Sequence, residues 1–247
     1  MSVKLTIITV TYNCRDLLPK TMASIRRQRY PDIEYIIVDG NSSDGTQDII
    51  KKNKDMVAAY ISEPDKGIYD AMNKGLAMAS GDYIWFINAG DEVYAADTVE
   101  KLFSTGEIPD VFYGDTMIVD PEGREIGLRR LKPPKKLTWK SYQWGQVVSH
   151  QAFIPRRAIT PRYDLSFKHS ADTDWQIKIL RKAETIKNTG QILAKFLDGG
   201  HSKKNIPESL KERFRIMIKN YGLLCTAGNH IIIGLKFFWF LARNKRF

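Results

Sequence analysis

Ser62-Glu-Pro-Asp-Lys-Gly-Ile-Tyr-Asp-Ala-Met-Asn-Lys-Gly75, followed by Gly81-Asp-Tyr-Ile-Trp-Phe-Ile-Asn-Ala-Gly-Asp91, is the densest run of chemically able residues in the chain. It reads as an acidic loop, an amphipathic helix, a buried strand and a carboxylate, Asp91, just past the strand's end. In α/β proteins ligands collect beyond the carboxyl ends of parallel strands. A carboxylate there can hold a hard divalent cation and, through it, a phosphate. Later in the chain, Ser170-Ala-Asp-Thr-Asp-Trp175 brings two further carboxylates, Asp172 and Asp174, close together in sequence. His150 and His201 add two imidazoles.

Such groups need a scaffold, and the hydrophobic pattern predicts one. Leu5–Val10, Glu34–Val38, Val57–Ile61 and Tyr83–Ile87 are short apolar runs that read as strands. Between them, Arg15–Gln28, Thr46–Lys52 and Ile68–Ala79 read as helices; the last puts Ile68, Ala71, Met72, Gly75, Leu76 and Ala79 on one face. This alternation predicts a doubly wound, mostly parallel α/β sheet. Further on, Asp110–Val119 and Glu125–Arg130 flank Asp120-Pro-Glu-Gly-Arg124 as a β-hairpin. Val147–Ile154 and Lys187–Leu197 read as strands, Ala171–Ala183 and Pro207–Leu224 as helices. The expected division is a catalytic unit over 1–204 and a helical appendage over 205–247.

The 247 residues are 43% hydrophobic and 27% charged, a globular balance that allows one large core. The start runs directly into a strand with no secretory pattern. Cys14 and Cys225 lie far apart without metal-type spacing. Together these predict inert thiols in a reduced, cytosolic setting. A formal net charge of +10 suggests an anionic partner. Nucleic acid is not expected, because zinc-finger spacing and RNA-binding aromatic motifs are missing.

The last residues, Ile231 to Phe247, are strongly apolar and then basic. Their apolar runs are shorter than the about 20 residues a bilayer span needs. A helix in the membrane interface is predicted, with Trp239 inserted and Arg243, Lys245 and Arg246 on anionic headgroups. The alternative is a helix docked on its own domain or on a second copy in a homodimer. The basic loop Arg129–Lys136 is a second candidate contact for a membrane or a diphosphate.

Thr6-Ile-Ile-Thr-Val-Thr-Tyr-Asn13, Ile36-Ile-Val-Asp-Gly-Asn-Ser-Ser-Asp-Gly-Thr46 and the Ser62–Asp91 stretch together resemble family 2 glycosyltransferases of the GT-A fold. The chain is most similar to bacterial enzymes of colanic-acid and capsule exopolysaccharide synthesis. The resemblance is strong over the first ~90 residues and looser from His150 to Ser202. It implies a UDP-sugar donor, with Asp39 accepting from the uracil N3–H and Thr9 and Tyr12 beside the base. Asp65 joins the nucleotide site. Asn73 either reaches the nucleotide or is a polar helix-surface residue. Asp91 is implied to hold Mg²⁺ or Mn²⁺, although Asn88-Ala-Gly-Asp91 keeps only the last acid of the family's Asp-rich motif. Asp172 matches the general base of an inverting transfer, with Asp174 the alternative. His150 orients the acceptor or the diphosphate, or is structural; His201 reaches the metal or the pyrophosphate. The implied acceptor is a saccharide, lipid-diphosphate-linked at the cytoplasmic membrane face.

Two other readings compete. A sugar-1-phosphate nucleotidyltransferase would carry a Gly-rich N-terminal loop, whereas Thr9-Val-Thr-Tyr-Asn-Cys14 has no glycine. A nucleotide-sugar-binding protein that has lost catalysis is the other, kept open by the reduced Asp motif.

Overall fold

β1 (Leu5–Thr11) is buried at all seven positions, as a central parallel strand covered on both faces requires. A computed structural model describes residues 3–199 and 206–244. In it β1 pairs in parallel with β2 (Ile33–Asp39) on one side and β4 (Tyr83–Phe86) on the other. β3 (Ala59–Ser62) completes a parallel sheet in the order β3-β2-β1-β4. The connecting helices are α1 (Leu18–Arg26), α2 (Thr46–Lys52) and α3 (Ile68–Met78). α3 lies so close to the sheet that a Cβ on Gly75 would sit 2.5 Å from Ile8 Cγ2. Any larger residue there would push the helix off β1.

α1 starts later than Arg15, because Leu17 and Leu18 donate their amides to the Cys14 carbonyl in a turn and Pro19 opens the helix. After β4 come β5 (Glu92–Val93) and α4 (Thr98–Phe103), neither of which the sequence pattern marked. The hairpin is present as β6 (Val111–Val119) and β7 (Glu125–Leu128). With β8 (Phe153–Pro155) and β9 (Ile186–Leu197) it forms a mixed sheet, in the order β5-β9-β6-β7 with β8 against β6. Within it β6 and β9 run parallel. A single bridge from Tyr83 to Arg156 joins β4 to the end of β8.

The strand predicted over Val147–Ile154 is realised only as the three residues of β8. Trp139–Trp144 and His150–Ala152 are 3-10 turns instead. The Gln151 carbonyl accepts from the Trp85 indole (2.8 Å) and its side chain reaches Asp91, so this segment crosses the strand ends rather than pairing along one.

α5 (Ala171–Lys182) precedes β9, and two helices follow it. α6 (Ile206–Tyr221) stops at Gly222, whose left-handed φ of 82° breaks what the sequence predicted as a helix reaching Leu224. α7 (Leu223–Asn244) begins docked on its own domain. Thr226 is buried, Asn229 donates to Gln143 (3.4 Å), and the His230 ring meets Phe214 edge-on at 4.9 Å. Among the described residues no helix is long and apolar enough to cross a membrane.

Candidate active site

β1, β2 and β4 end on one edge of the parallel sheet, and the loops leaving it interlock. Asn13 and Asn41 both take left-handed backbone (φ 49° and 64°), a conformation asparagine tolerates better than other non-glycine residues. Asn13 accepts from the Ser43 amide (3.0 Å), and its own amide donates to Ser42 Oγ (2.8 Å). Asp39 closes β2 and is wholly buried. Its carboxylate accepts from the Ser42 amide (3.0 Å), Ser42 Oγ (2.5 Å) and Ser62 Oγ (2.6 Å), tying the 40–46 loop to β3. A base could reach this carboxylate only after Ser42 turns aside.

Tyr12 and Asp65 come together across Gly40. A Cβ there would fall 2.9 Å from Asp65 Oδ2 and 3.2 Å from Tyr12 Cδ2. Tyr12 is 64% exposed, so its ring is free to receive a flat ligand at this lip. Asp65 is held by Lys74 Nζ at 2.5 Å.

Two expected nucleotide residues are structural. Thr9 is enclosed; its hydroxyl donates to the Ile87 carbonyl (2.6 Å) and accepts from Tyr35 (3.1 Å), stitching β1 to β4 and β2. Two residues on, on the same face of β1, the buried Thr11 hydroxyl has no partner and sits at the sheet edge. Asn73 donates to the Tyr163 carbonyl (3.0 Å) and accepts from the Tyr163 amide (2.7 Å). Both ends of its amide are spent on clamping the loop before α5.

Asp91 also turns inward. Oδ2 accepts from Gln151 (2.8 Å) and Oδ1 from the Leu197 amide (3.3 Å). Burial, only partly offset by these bonds, pushes its pKa up to about 7. His201 lies outside the described residues. Among those described, no group of three His, Cys, Asp or Glu side chains converges to hold a metal. Among the described residues Asp91 is thus a lone carboxylate spent on Gln151 and Leu197, and they hold no preformed site for Mg²⁺ or Mn²⁺. The inner position of the motif belongs to Asn88, whose Nδ2 lies 3.2 Å from His150 Nε2 and whose Oδ1 is buried without a partner.

Asp172 and His150 do come together, in a cavity of about 270 Å³ whose lining also includes Tyr69, Gln146, Arg129 and Arg213. Asp172 Oδ2 accepts from Gln146 Nε2 (2.5 Å) and lies 3.9 Å from His150 Nδ1. Oδ1 accepts from the Thr173 amide (2.9 Å) and Tyr69 (3.3 Å). Burial first, then the Asp172 charge, raises the Tyr69 pKa well above 10, which keeps that hydroxyl a donor. Burial lowers the His150 pKa from 6.5 against the pull of Asp172, so the imidazole is neutral at neutral pH. Asp174, in contrast, faces away. Lys178 (2.6 Å) and Lys219 (3.4 Å) approach its oxygens as ion pairs, off the hydrogen-bonding directions.

Sequence reasoning missed Gln146, Arg213 and Glu212. Glu212 accepts the amides of Lys168 (2.8 Å), His169 (2.8 Å) and Ser170 (3.0 Å), fixing the start of α5. A polar residue on an amphipathic helix carries no signal of such a role. Gln146 lies in a loop with no pattern at all.

Asp91 generates a prediction. Its folded pKa of about 7 exceeds the ordinary 3.8, so the folded state keeps a proton that the unfolded chain releases. Its stabilising effect is complete below the unfolded value and is lost as pH rises through about 7. Asp91→Asn should therefore melt higher, relative to the parent, at about pH 8 than at about pH 5. A parent melting point that Mn²⁺ raises at the higher pH, with no such response in the variant, would instead mark Asp91 as a metal ligand.

The sequence pattern of Glycosyl transferase family 2 matches residues 6–161. An uncharacterized glycosyltransferase of Mycobacterium tuberculosis (strain ATCC 25618 / H37Rv) is 36% identical over 186 residues, covering 72% of this chain and 68% of its own. A PGL/p-HBAD biosynthesis glycosyltransferase of Mycobacterium bovis (strain BCG / Pasteur 1173P2) is 33% identical over 181 residues, covering 70% and 68%. Among solved structures, S. aureus TarS 1-349 in complex with UDP-GlcNAc superposes with a TM-score of 0.67 at 17% identity, covering 89% of this chain and 68% of that one. A mannosyltransferase from Pyrobaculum calidifontis, in complex with GDP-Man and Mn²⁺, gives 0.65 at 17% identity, covering 89% and 65%. This chain thus spans about two thirds of each of these proteins. The structural likeness establishes the fold, that of the GT-A glycosyltransferases. With its pattern matched over more than half of the sequence, the chain belongs to glycosyl transferase family 2.

Proposed function

We propose that the protein is an inverting glycosyltransferase that moves a sugar from a UDP-sugar to a saccharide acceptor, with Asp172 as general base. The observation that carries this reading is the Asp172 carboxylate, enclosed yet lining a cavity beyond the strand ends. There it takes the proton of an acceptor hydroxyl while that oxygen bonds to the anomeric carbon. The bond from that carbon to the donor phosphate breaks on the opposite face, and UDP departs with the electron pair. Gln146 and Tyr69 hold the base by their hydrogen bonds, and neutral His150 orients the hydroxyl beside it. The Tyr12–Gly40–Asp65 lip receives the nucleoside. Asp91, turned toward Gln151 and the Leu197 amide, takes no part in these steps.

Asp172→Asn is the direct test. It keeps the shape and removes the proton acceptor, so turnover should fall roughly 10²–10⁴-fold while UDP affinity stays within about twofold. Undiminished transfer would reject the base assignment. Retained UDP binding in a parent protein that transfers no sugar would favour the inactive binding-protein reading.

The wider setting in this proposal is synthesis of a cell-surface polysaccharide on a lipid-linked acceptor at the cytoplasmic face of a membrane. What supports it is the apolar exposure on α7, where Leu224 is 89% and Ile231 66% exposed, seven residues apart on one face. Such a stripe beside a basic end suits the interface of an anionic bilayer. Replacing Leu224 and Ile231 together by glutamate should abolish co-sedimentation with vesicles containing phosphatidylglycerol. Equal sedimentation of parent and variant would remove the membrane from the proposal.

A further inference from the structure

Arg129, just past β7, and Arg213, on α6, both line the cavity that holds Asp172. Neither is explained by the transfer chemistry above. Arg129 Nη1 and Arg213 Nε are buried and without hydrogen-bond partners. Among the described residues, the one side-chain bond between these guanidiniums and their surroundings runs from Arg213 Nη2 to Gln146 Oε1 (3.3 Å), and Gln146 in turn donates to Asp172. Among the described residues, neither arginine has a carboxylate within ion-pair distance. A buried cation with unpaired donors is unfavourable unless something negative meets it.

The two charges also oppose each other. Burial above all, and to a smaller degree the neighbouring Arg213, lower the Arg129 pKa below its ordinary value, against the pull of Tyr142 and Asp172. An anion between them would relieve both burial and repulsion at once. Planar guanidinium forks suit phosphate oxygens in particular. Ser209, one turn before Arg213 on α6, and Thr116 place hydroxyl groups on the same cavity wall.

We propose that Arg129 and Arg213 form a binding site for the phosphate group of a substrate, beside the general base. The inference rests on the glycosyltransferase reading for the identity of that substrate, but not for the existence of the site. Two sources could bring the phosphate: the donor's diphosphate, or a phosphate carried by the acceptor. The single-displacement geometry favours the acceptor. In such a reaction the base and the leaving group lie on opposite faces of the anomeric carbon. Arg213 lies on the base's side, separated from Asp172 by one glutamine amide. The acceptor would then be a glycosyl phosphate or diphosphate whose reacting hydroxyl is close to its own phosphate.

The test is calorimetric titration of the full chain in EDTA with pyrophosphate, UDP and uridine, on the parent, Arg129→Gln and Arg213→Gln. Arginine-to-lysine variants keep the charge and serve where a glutamine variant fails to fold. If the acceptor supplies the phosphate, pyrophosphate binds the parent even with UDP present. Each glutamine variant then weakens pyrophosphate roughly tenfold or more and leaves UDP unchanged. If the donor supplies it, pyrophosphate competes with UDP, and the variants weaken UDP by a similar factor while uridine is unaffected. Either result supports the site and names its ligand. Variants that bind both pyrophosphate and UDP as the parent does, or a parent that binds no pyrophosphate while its variants keep full UDP affinity, overturn it. A parent that binds pyrophosphate through these arginines but neither uridine nor UDP would leave the site standing and remove the proposed function.

Discussion

The structure depends on keeping a charged carboxylate inside the protein. Asp172 is 9% exposed, and burying such a group is costly unless donors replace the water it loses. The donors come from separate parts of the chain: Tyr69 from α3, Gln146 from the loop before β8, and the Thr173 amide from α5 itself. None of these elements can move independently without leaving the carboxylate short of a partner. The site is therefore a product of the whole fold rather than of one motif.

The end of the chain belongs to that arrangement. Glu212 on α6 accepts three consecutive amides at residues 168–170, and Ser170 Oγ lies 2.9 Å from Ser209 Oγ. Charge-assisted bonds of this kind are about twice as strong as neutral ones. They fix where α5 begins, and so where Asp172 points. The same helix carries Arg213 into the cavity wall. α6 is thus a wall of the site. The excess of basic residues acquires a place here as well: part of the positive charge is internal, in the cavity with Asp172, rather than spread over a solvated face.

The parallel sheet was readable because its strands are short runs rich in β-branched and aromatic residues, and α3 because its apolar residues recur at helical spacing. Asp172 was singled out by the resemblance of its segment to a family motif, and it lines the cavity. Side-chain direction was less accessible. Thr9 and Thr11 lie on the same face of β1, and the pattern does not say that one is stitched into the core while the other reaches the edge. Asn73 looked available until its amide met Tyr163, 90 residues away. Asp91 looked like a metal ligand because its position follows a strand, but its environment is made by Gln151 and Leu197, both distant in sequence. Local pattern reports which face a residue lies on; it does not report which remote partner has already claimed it.

The central claim is a single displacement with Asp172 as the base. Its most direct test is the anomeric configuration of the product, read by proton NMR from the first turnovers with a UDP-sugar of defined configuration. A single displacement gives a glycosidic linkage of the opposite configuration to the donor's. A product that retains the donor's configuration would contradict it.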